Sequence, residues 1–362
     1  MPNFPVTPQT EIIETLAKWK DTGEWKGEFL PMESEHSVLS AAVASSAAGA
    51  RTFTGTSSQG LLLMHEVVYN ASGMRLPIVM MNVSRAVAAP ITLWPDHNDI
   101  LDCRDAGWLI TFCENNQEVL DSTLQAFRIS EDTNVLLPSL VNLEGFILSY
   151  TREPTEIPSQ TKVDKFLPKF KPKVFLDPKK PMAIGIGVMK EYSYFKSQMH
   201  MAQKNAVKVI EDTYRVFAKS FKRKYSLFEE FMMDGANAVI ITAGANSTIA
   251  KAAVKRLRSK GLKIGLLRIR VFRPFPEEQI RKALSGVQAI GVVDQNISPG
   301  TGGIVYPEIR STMYGYKIPI SNFIISLGGK HISQEEFETI CLKTLETVKT
   351  KKERRMWQGK FL

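Results

Sequence analysis

The sequence predicts an α/β protein in which parallel sheets are covered by helices on both faces. Strand-like and helix-like segments alternate over Met1–Tyr150, and the alternation resumes from Ala238. Several strands are short runs with few polar residues, such as RLPIVMMNV at Arg75–Val83, as expected where both faces of a sheet are buried. At 362 residues the chain has room for two domains with sizeable cores. We expect a first domain at 1–150, a Pro/Lys-rich linker at 151–181, a second α/β domain at 182–350 and a basic tail at 351–362.

The elements follow in order. Asn3–Thr10, NFPVTPQT, is a loop in which Pro5 and Pro8 hold Val6-Thr7 extended. Thr10 is placed to cap a helix over Glu11–Lys20. Phe29–Met32 is a short strand end. After Glu33-Ser34-Glu35 a helix of small residues runs from about His36 to Ala50, open to close approach by another backbone or a flat ligand. Arg51–Thr54 is a strand, Gly55–Gly60 a polar turn and Leu61–Ser72 a helix. Glu35 therefore sits where a strand end meets a helix start, the place where open parallel sheets bind ligands. Arg85 follows the end of the Arg75–Val83 strand. Gly107–Phe112 and Val135–Val141 are strands on either side of a Gln117–Glu131 helix. A first strand leading into NFPVTP is missing or very short.

Arg152–Pro181 carries six prolines among many lysines and reads as an extended arm. Tyr192–Met233 has helical spacing. Ala238–Ala243, Lys263–Val271, Ala289–Asp294 and Ile320–Ser326 are strands, and Thr248–Lys260, Pro274–Leu284 and Ser333–Lys349 are helices.

The totals exclude several classes. No run of about 18 apolar residues is present, so no membrane span is expected. The start MPNFPVTP lacks a basic and then apolar pattern, which makes the cytoplasm the expected location. Cys103, Cys113 and Cys341 are too few and too scattered for a disulfide framework, a structural zinc or a four-cysteine cluster, and are expected as buried thiols. The net charge of +9 is spread without an aromatic-interleaved basic face, so an acidic protein partner is expected rather than nucleic acid. Asp96, His97 and Asp99 in WPDHND are crowded into one turn and read as loop-holding hydrogen bonds rather than metal ligands. Pro299–Gly303 and Leu327–Gly329 fit tight turns, since neither supplies a dinucleotide or P-loop spacing.

Long ordered stretches carry a resemblance. FPVTPQTEIIE, ESEHSVLSAAVASSAAGARTFTGTSSQGLLLMHE, SGMRLPIV, RAVAAPITLWPDHNDI, VLLPSLVNLEGFILSYTREPTEIP, VFRPFPEEQI and DQNISPG follow one another as in the α chains of 2-oxoacid:ferredoxin oxidoreductases, the pyruvate enzymes above all. The resemblance spans nearly the whole chain. It implies a pyrimidine-binding domain of the thiamine diphosphate fold followed by a transketolase C-terminal-like domain. It also implies oxidative decarboxylation of a 2-oxoacid, electrons passed to ferredoxin and the acyl group passed to coenzyme A.

Carried over position by position, Glu35 would hydrogen-bond N1′ of the aminopyrimidine and so favour the tautomer that activates the thiazolium carbon. Thr7 would contact the substrate, Arg85 would pair with its carboxylate or carbonyl oxygen, and Pro5 falls among the cofactor contacts. The Thr7 hydroxyl, which pyruvate-type members of that family carry there, favours pyruvate over a dicarboxylate, with other 2-oxoacids (2-oxobutyrate, branched-chain acids, 2-oxoglutarate, oxalate) as the alternative substrates. Family α chains usually carry a helix and strand before this loop, so how firmly Thr7 is held is open at this point.

A Gly-Asp-Gly…Asn motif is missing; Met233-Asp234-Gly235 lacks the leading glycine. The resemblance thus implies a β chain bearing the Mg²⁺-diphosphate half of the site, and γ or δ chains bearing [4Fe-4S] clusters. Two other readings stay open: an assembly chain with a vestigial pocket, and a stand-alone nucleotide binder.

Overall fold

The computed structural model describes residues 1–185, 187–188, 190–358 and 360–361. Two sheets organise it. The first has five strands in the order Val271–Arg273, Leu109–Phe112, Ser139–Glu144, Ile78–Ser84, Thr52–Thr56. The last four are mutually parallel, and Val271–Arg273 runs antiparallel along the edge. The second has seven strands, with Ile320–Ile324, Ala289–Asp294, Ala238–Ala243 and Ile264–Ile269 parallel at its centre. The expected parallel α/β architecture is present, and the central strands are buried along their whole length.

One crossing ties the sheets together. The expected single strand Lys263–Val271 is two strands: Ile264–Ile269 in the second sheet and Val271–Arg273 in the first. Arg268 and Arg270 lie at the crossing and point into the helix Asn116–Ser130. Glu118 on that helix accepts from Arg268 Nη1 at 2.8 Å and from Arg270 Nε at 2.6 Å. Arg270 is stacked over the rings of Tyr214 and Tyr225, at 4.6 and 4.2 Å from their centroids. Burial raises the cost of charging Glu118, but Arg268 and Arg270 outweigh it and bring its carboxyl to about 2. A charge network alone explains why two arginines tolerate a core position.

Other expectations shift. The long helix is Tyr192–Phe221, and Phe228–Phe231 is a strand rather than its continuation. This helix packs Ala202, Ala206, Ile210 and Tyr214 against Leu109, Ile129, Val135 and Leu137, on the first sheet's side. The expected linker contains a helical turn, Gln160–Phe166, whose Phe166 is buried against Phe217 and Phe221. Farther on, the Leu176 amide donates to Ala47 O at 2.8 Å, so the arm straps the end of the small-residue helix.

The basic tail is also structured, since Arg355–Trp357 pairs parallel with Ile320–Ile324. Val305–Thr312, an additional helix, follows the PGTGG turn, which closes through Ser298 N to Gly302 O at 2.7 Å. The strand expected at Val135–Val141 starts later, at Ser139, after Leu136 turns through a positive φ. Ser333 caps the last helix with a full capping box to Glu336. The three cysteines are free and buried. No helix among the described residues is long and apolar enough to cross a membrane.

Glu118→Ala leaves two buried guanidiniums without their shared carboxylate. The expected cost is about 3–5 kcal/mol, read as a lower midpoint in urea unfolding. Acid behaviour follows from the same group. Its folded value is depressed below the ordinary 4.5, so its stabilisation is complete above that value and is lost as pH falls toward about 2. Glu118→Gln is expected to remove this part of the acid limb; an unchanged acid limb contradicts the assignment.

Candidate active site

The first sheet ends in a polar rim. Thr56, Asn82 and Asn142 are register partners across three neighbouring strands, and Ser84 pairs with Glu144 one pleat further on. All five are buried. Above this rim the chain turns at Ser57–Gly60 and at Ser84–Arg85, and the N-terminal loop closes over both.

Glu35 opens the helix Glu35–Ala47, one residue earlier than expected. The Ser34 side chain caps it by accepting from Ser37 N at 3.3 Å. A carboxylate in the first helical turn is favourably placed against the orphan amides there. Its seat is Gly60. A Cβ built on that residue would stand 2.6 Å from Glu35 Oε1 and 2.6 Å from Thr56 Oγ1. Only glycine allows the carboxylate to lie down on the backbone here. The expected polar turn Gly55–Gly60 is therefore two things: the end of a strand reaching Thr56, and the start of a helix, Gln59–Leu63, that receives Glu35. The helix expected at Leu61–Ser72 is broken at Met64.

Arg85 stands half-buried beside this seat. Its Nη1 donates to Thr7 O at 2.7 Å and its Nη2 to Gln59 Oε1 at 2.5 Å. Its Nε is buried without a partner among the described residues. Burial lowers the guanidinium's pKa, while Asp99 and Glu35 draw it back up. Glu35 and Arg85 thus feel each other's charge, and the spare N–H groups of Arg85 are available to an oxyanion.

Thr7 is held through its carbonyl, which leaves the hydroxyl outside that bond. The loop is firmly based. The Gln9 amide donates to Gly55 O at 2.7 Å, Gln9 N donates to Val6 O at 2.7 Å, and the ring of Pro8 packs over Gly145. Gln9 occupies the helix-cap position, so the helix begins at Thr10, which is not its cap. A two-residue strand at Pro2–Asn3 pairs with Leu30–Pro31. Pro5 is exposed on the same loop, and no hydrogen bond among the described residues ties it to the Glu35–Arg85 group.

Asp96, His97 and Asp99 hold loops, as their crowding suggested. Asp96 accepts from Asn98 N at 3.0 Å, and burial raises its carboxyl to about 6. His97 Nε2 lies 2.7 Å from Glu144 Oε1, which also accepts from Ala245 N at 2.9 Å. Asp99 is bonded to both turns at the sheet rim. Gln59, Gly60 and Asp99 are the residues of this region whose roles sequence reasoning missed. Only Asp99 left a signal, as part of a loop-holding acidic turn.

The donor set suits an aminopyrimidine and a 2-oxoacid. A carboxylate lies over Gly60, a half-buried cation stands near enough to feel its charge, and the buried hydroxyls of Thr56 and Ser57 have no partner among the described residues.

Comparison with known proteins identifies the family. Residues 1–215 match the model of the family described as pyruvate flavodoxin/ferredoxin oxidoreductase, thiamine diphosphate-binding, and residues 236–337 match pyruvate:ferredoxin oxidoreductase core domain II. The pyruvate synthase subunit PorA of Methanothermobacter thermautotrophicus is 44% identical over 346 residues, which cover 95% of this chain and 90% of that one. The ketoisovalerate oxidoreductase subunit VorA of Pyrococcus abyssi is 41% identical over 343 residues, covering 93% and 86%.

Two solved structures share the fold. One is a 2-oxoglutarate:ferredoxin oxidoreductase from Magnetococcus marinus with 2-oxoglutarate, coenzyme A and succinyl-CoA bound. It has a TM-score of 0.70 and 18% identity over 96% of this chain, which spans 62% of that longer one. The other is a split-gene transketolase, an inactive β4 tetramer, with a TM-score of 0.56 and 11% identity over 96% of this chain and 91% of that one. The chain belongs to the pyruvate flavodoxin/ferredoxin oxidoreductase family, as an oxidoreductase subunit of the pyruvate:ferredoxin oxidoreductase type.

Proposed function

We propose that this chain supplies the aminopyrimidine half of a thiamine diphosphate site in a complex that oxidatively decarboxylates pyruvate, or runs that reaction in reverse, with coenzyme A and ferredoxin in the cytoplasm. The observation that carries the reading is the meeting of Glu35, Thr7 and Arg85 at one sheet rim, with Gly60 kept bare beneath the carboxylate.

Thiamine diphosphate bound there supplies an electron sink for loss of CO₂ from a 2-oxoacid. Glu35 holds a proton toward N1′ of the aminopyrimidine, which only a carboxyl at a fixed seat does well. Arg85 keeps Thr7 and Gln59 in place with two of its N–H groups and offers the others to the substrate carboxylate. The Thr7 hydroxyl meets the substrate on the side away from its anchored carbonyl, and Pro5 borders the cofactor. A small uncharged group on the substrate suits this loop better than a second carboxylate.

The remaining chemistry belongs to other chains. A β chain provides the Mg²⁺-diphosphate half, so the site lies at the α–β boundary next to the small-residue helix. γ or δ chains would carry [4Fe-4S] clusters, which would supply one-electron transfer to ferredoxin.

In the assembled complex, Glu35→Gln keeps size and shape but removes the proton donor and acceptor. Ferredoxin reduction with pyruvate is expected to fall about 10²–10⁴-fold, with assembly unchanged by size-exclusion chromatography. Full activity in that variant favours the vestigial-pocket reading. A panel of pyruvate, 2-oxobutyrate, 2-oxoisovalerate, 2-oxoglutarate and oxalate is expected to give the highest kcat/KM with pyruvate; preference for the branched acid reassigns the substrate.

Gly60→Ala pushes against the side chain of Glu35 and the buried hydroxyl of Thr56 rather than against backbone. The thermal midpoint is expected to stay within a few degrees while activity falls about 10- to 100-fold, the cost of a carboxylate displaced by roughly 1 Å.

A further inference from the structure

We propose that Asp99 is the positioning residue of this site: its buried carboxylate sets the turn that seats Glu35 and the strand end that carries Arg85 in a single geometry. The proposal rests on the functional reading above and names the group that fixes its shape.

Asp99 is fully buried. Its Oδ2 accepts from Ser58 N and Arg85 N, both at 3.1 Å, and from Asn82 Nδ2 at 3.2 Å. Its Oδ1 accepts from Ser84 Oγ at 2.8 Å and from Ile100 N at 2.7 Å. Two of these donors are backbone amides of the two segments that form the site. They lie 27 residues apart in sequence, at the ends of neighbouring strands, and this carboxylate joins them.

Ser58 shows what the bond holds. Its φ of 49° and ψ of −120° lie where a residue with a side chain is strained. Ser58 Oγ also donates to Ala86 O at 2.9 Å, a second tie between the turn and the strand end. One residue on, Gln59 accepts from Arg85; one further, Gly60 lies beneath Glu35.

The opposite side of Asp99 is fixed by the second sheet. His97 N donates to Gln295 O at 2.8 Å, Asn98 Nδ2 to Ile297 O at 2.8 Å, and Ile297 N returns a bond to Asn98 Oδ1 at 3.0 Å. Asp99 acts through Arg85 and Gly60, so its effect is on geometry rather than on the reacting atoms.

Asp99→Asn tests this without changing size. An amide nitrogen in the place of Oδ2 would face three N–H donors, and in the place of Oδ1 it would face the Ile100 amide. In the assembled complex, kcat/KM for pyruvate is expected to fall at least tenfold, with a higher KM. Hydrogen–deuterium exchange of peptides spanning 56–62 and 84–88 is expected to quicken together, with the rest of the chain unchanged. Adding Asp99→Asn to Arg85→Ala is expected to cost less than it costs alone, because the part of its effect that passes through Arg85 is already lost while the part that passes through the Ser58–Gly60 turn remains.

Ser84→Ala removes a single bond to the carboxylate and is expected to give the same two effects in smaller measure, which covers the case where Asp99→Asn does not assemble. Unchanged exchange in both segments, or fully additive losses with Arg85→Ala, overturns the proposal. Glu35→Gln measured alongside separates the two ideas. If it stays active, the functional reading fails whatever Asp99→Asn does; if it is dead while both segments exchange normally in Asp99→Asn, only the positioning role fails.

Discussion

The structure depends on a buried ionic joint at the crossing between its two sheets. Arg268 and Arg270 emerge where the chain leaves one sheet and enters the other, and both converge on Glu118. Glu118 also accepts from Glu114 N, and Glu114 in turn binds Lys251 Nζ at 2.6 Å. The joint therefore links a helix of the first sheet to a strand and a helix of the second. Charges this deep are weak net stabilisers beside a well-packed apolar core, but they are demanding about geometry. Arg270 accepts few alternatives, enclosed as it is by Glu118, Ser122, Gln125 and two tyrosine rings.

That rigidity reaches the site through the WPDHND loop. Because the second sheet is held against the first, the loop at Gln295–Ile297 can grip His97 and Asn98. The gripped loop presents Asp99 to the strand ends. The steps are hydrogen bonds between part-buried and buried groups, from Ile297 to Asn98 and from Asp99 to the strand ends. The site at the rim of the first sheet is in this sense built by the whole chain. The groups proposed for it come from four separated segments, Thr7, Glu35, Gln59–Gly60 and Arg85, none of which holds itself in place.

Much of this was legible in the sequence. Ala238–Ala243 and Ala289–Asp294 are apolar, β-branched and bounded by turn residues, and they are the strands expected. Motif order names Glu35, Thr7 and Arg85; the fold bonds Arg85 to the Thr7 carbonyl and leaves Glu35 near enough for its charge to act on Arg85, while their roles remain the proposal above. The misses share a cause. Periodicity describes one segment at a time, whereas the crossing at Arg270, the Phe228–Phe231 strand and the closure by Arg355–Trp357 exist only through pairing with distant partners. Gly60 is an ordinary turn glycine until Glu35 is laid on it. Asp99 looked like one acid among several, because nothing local says that amides from residues 58 and 85 will meet there.

The central claim is that Glu35 is the acid that addresses the aminopyrimidine. The most direct measurement is a structure of the assembled complex with thiamine diphosphate bound. The account predicts the Glu35 carboxylate within hydrogen-bond distance of N1′, about 2.6–3.2 Å, with the diphosphate held by the neighbouring chain. An aminopyrimidine ring bound to a different acid, or lying beyond the reach of position 35, would contradict it.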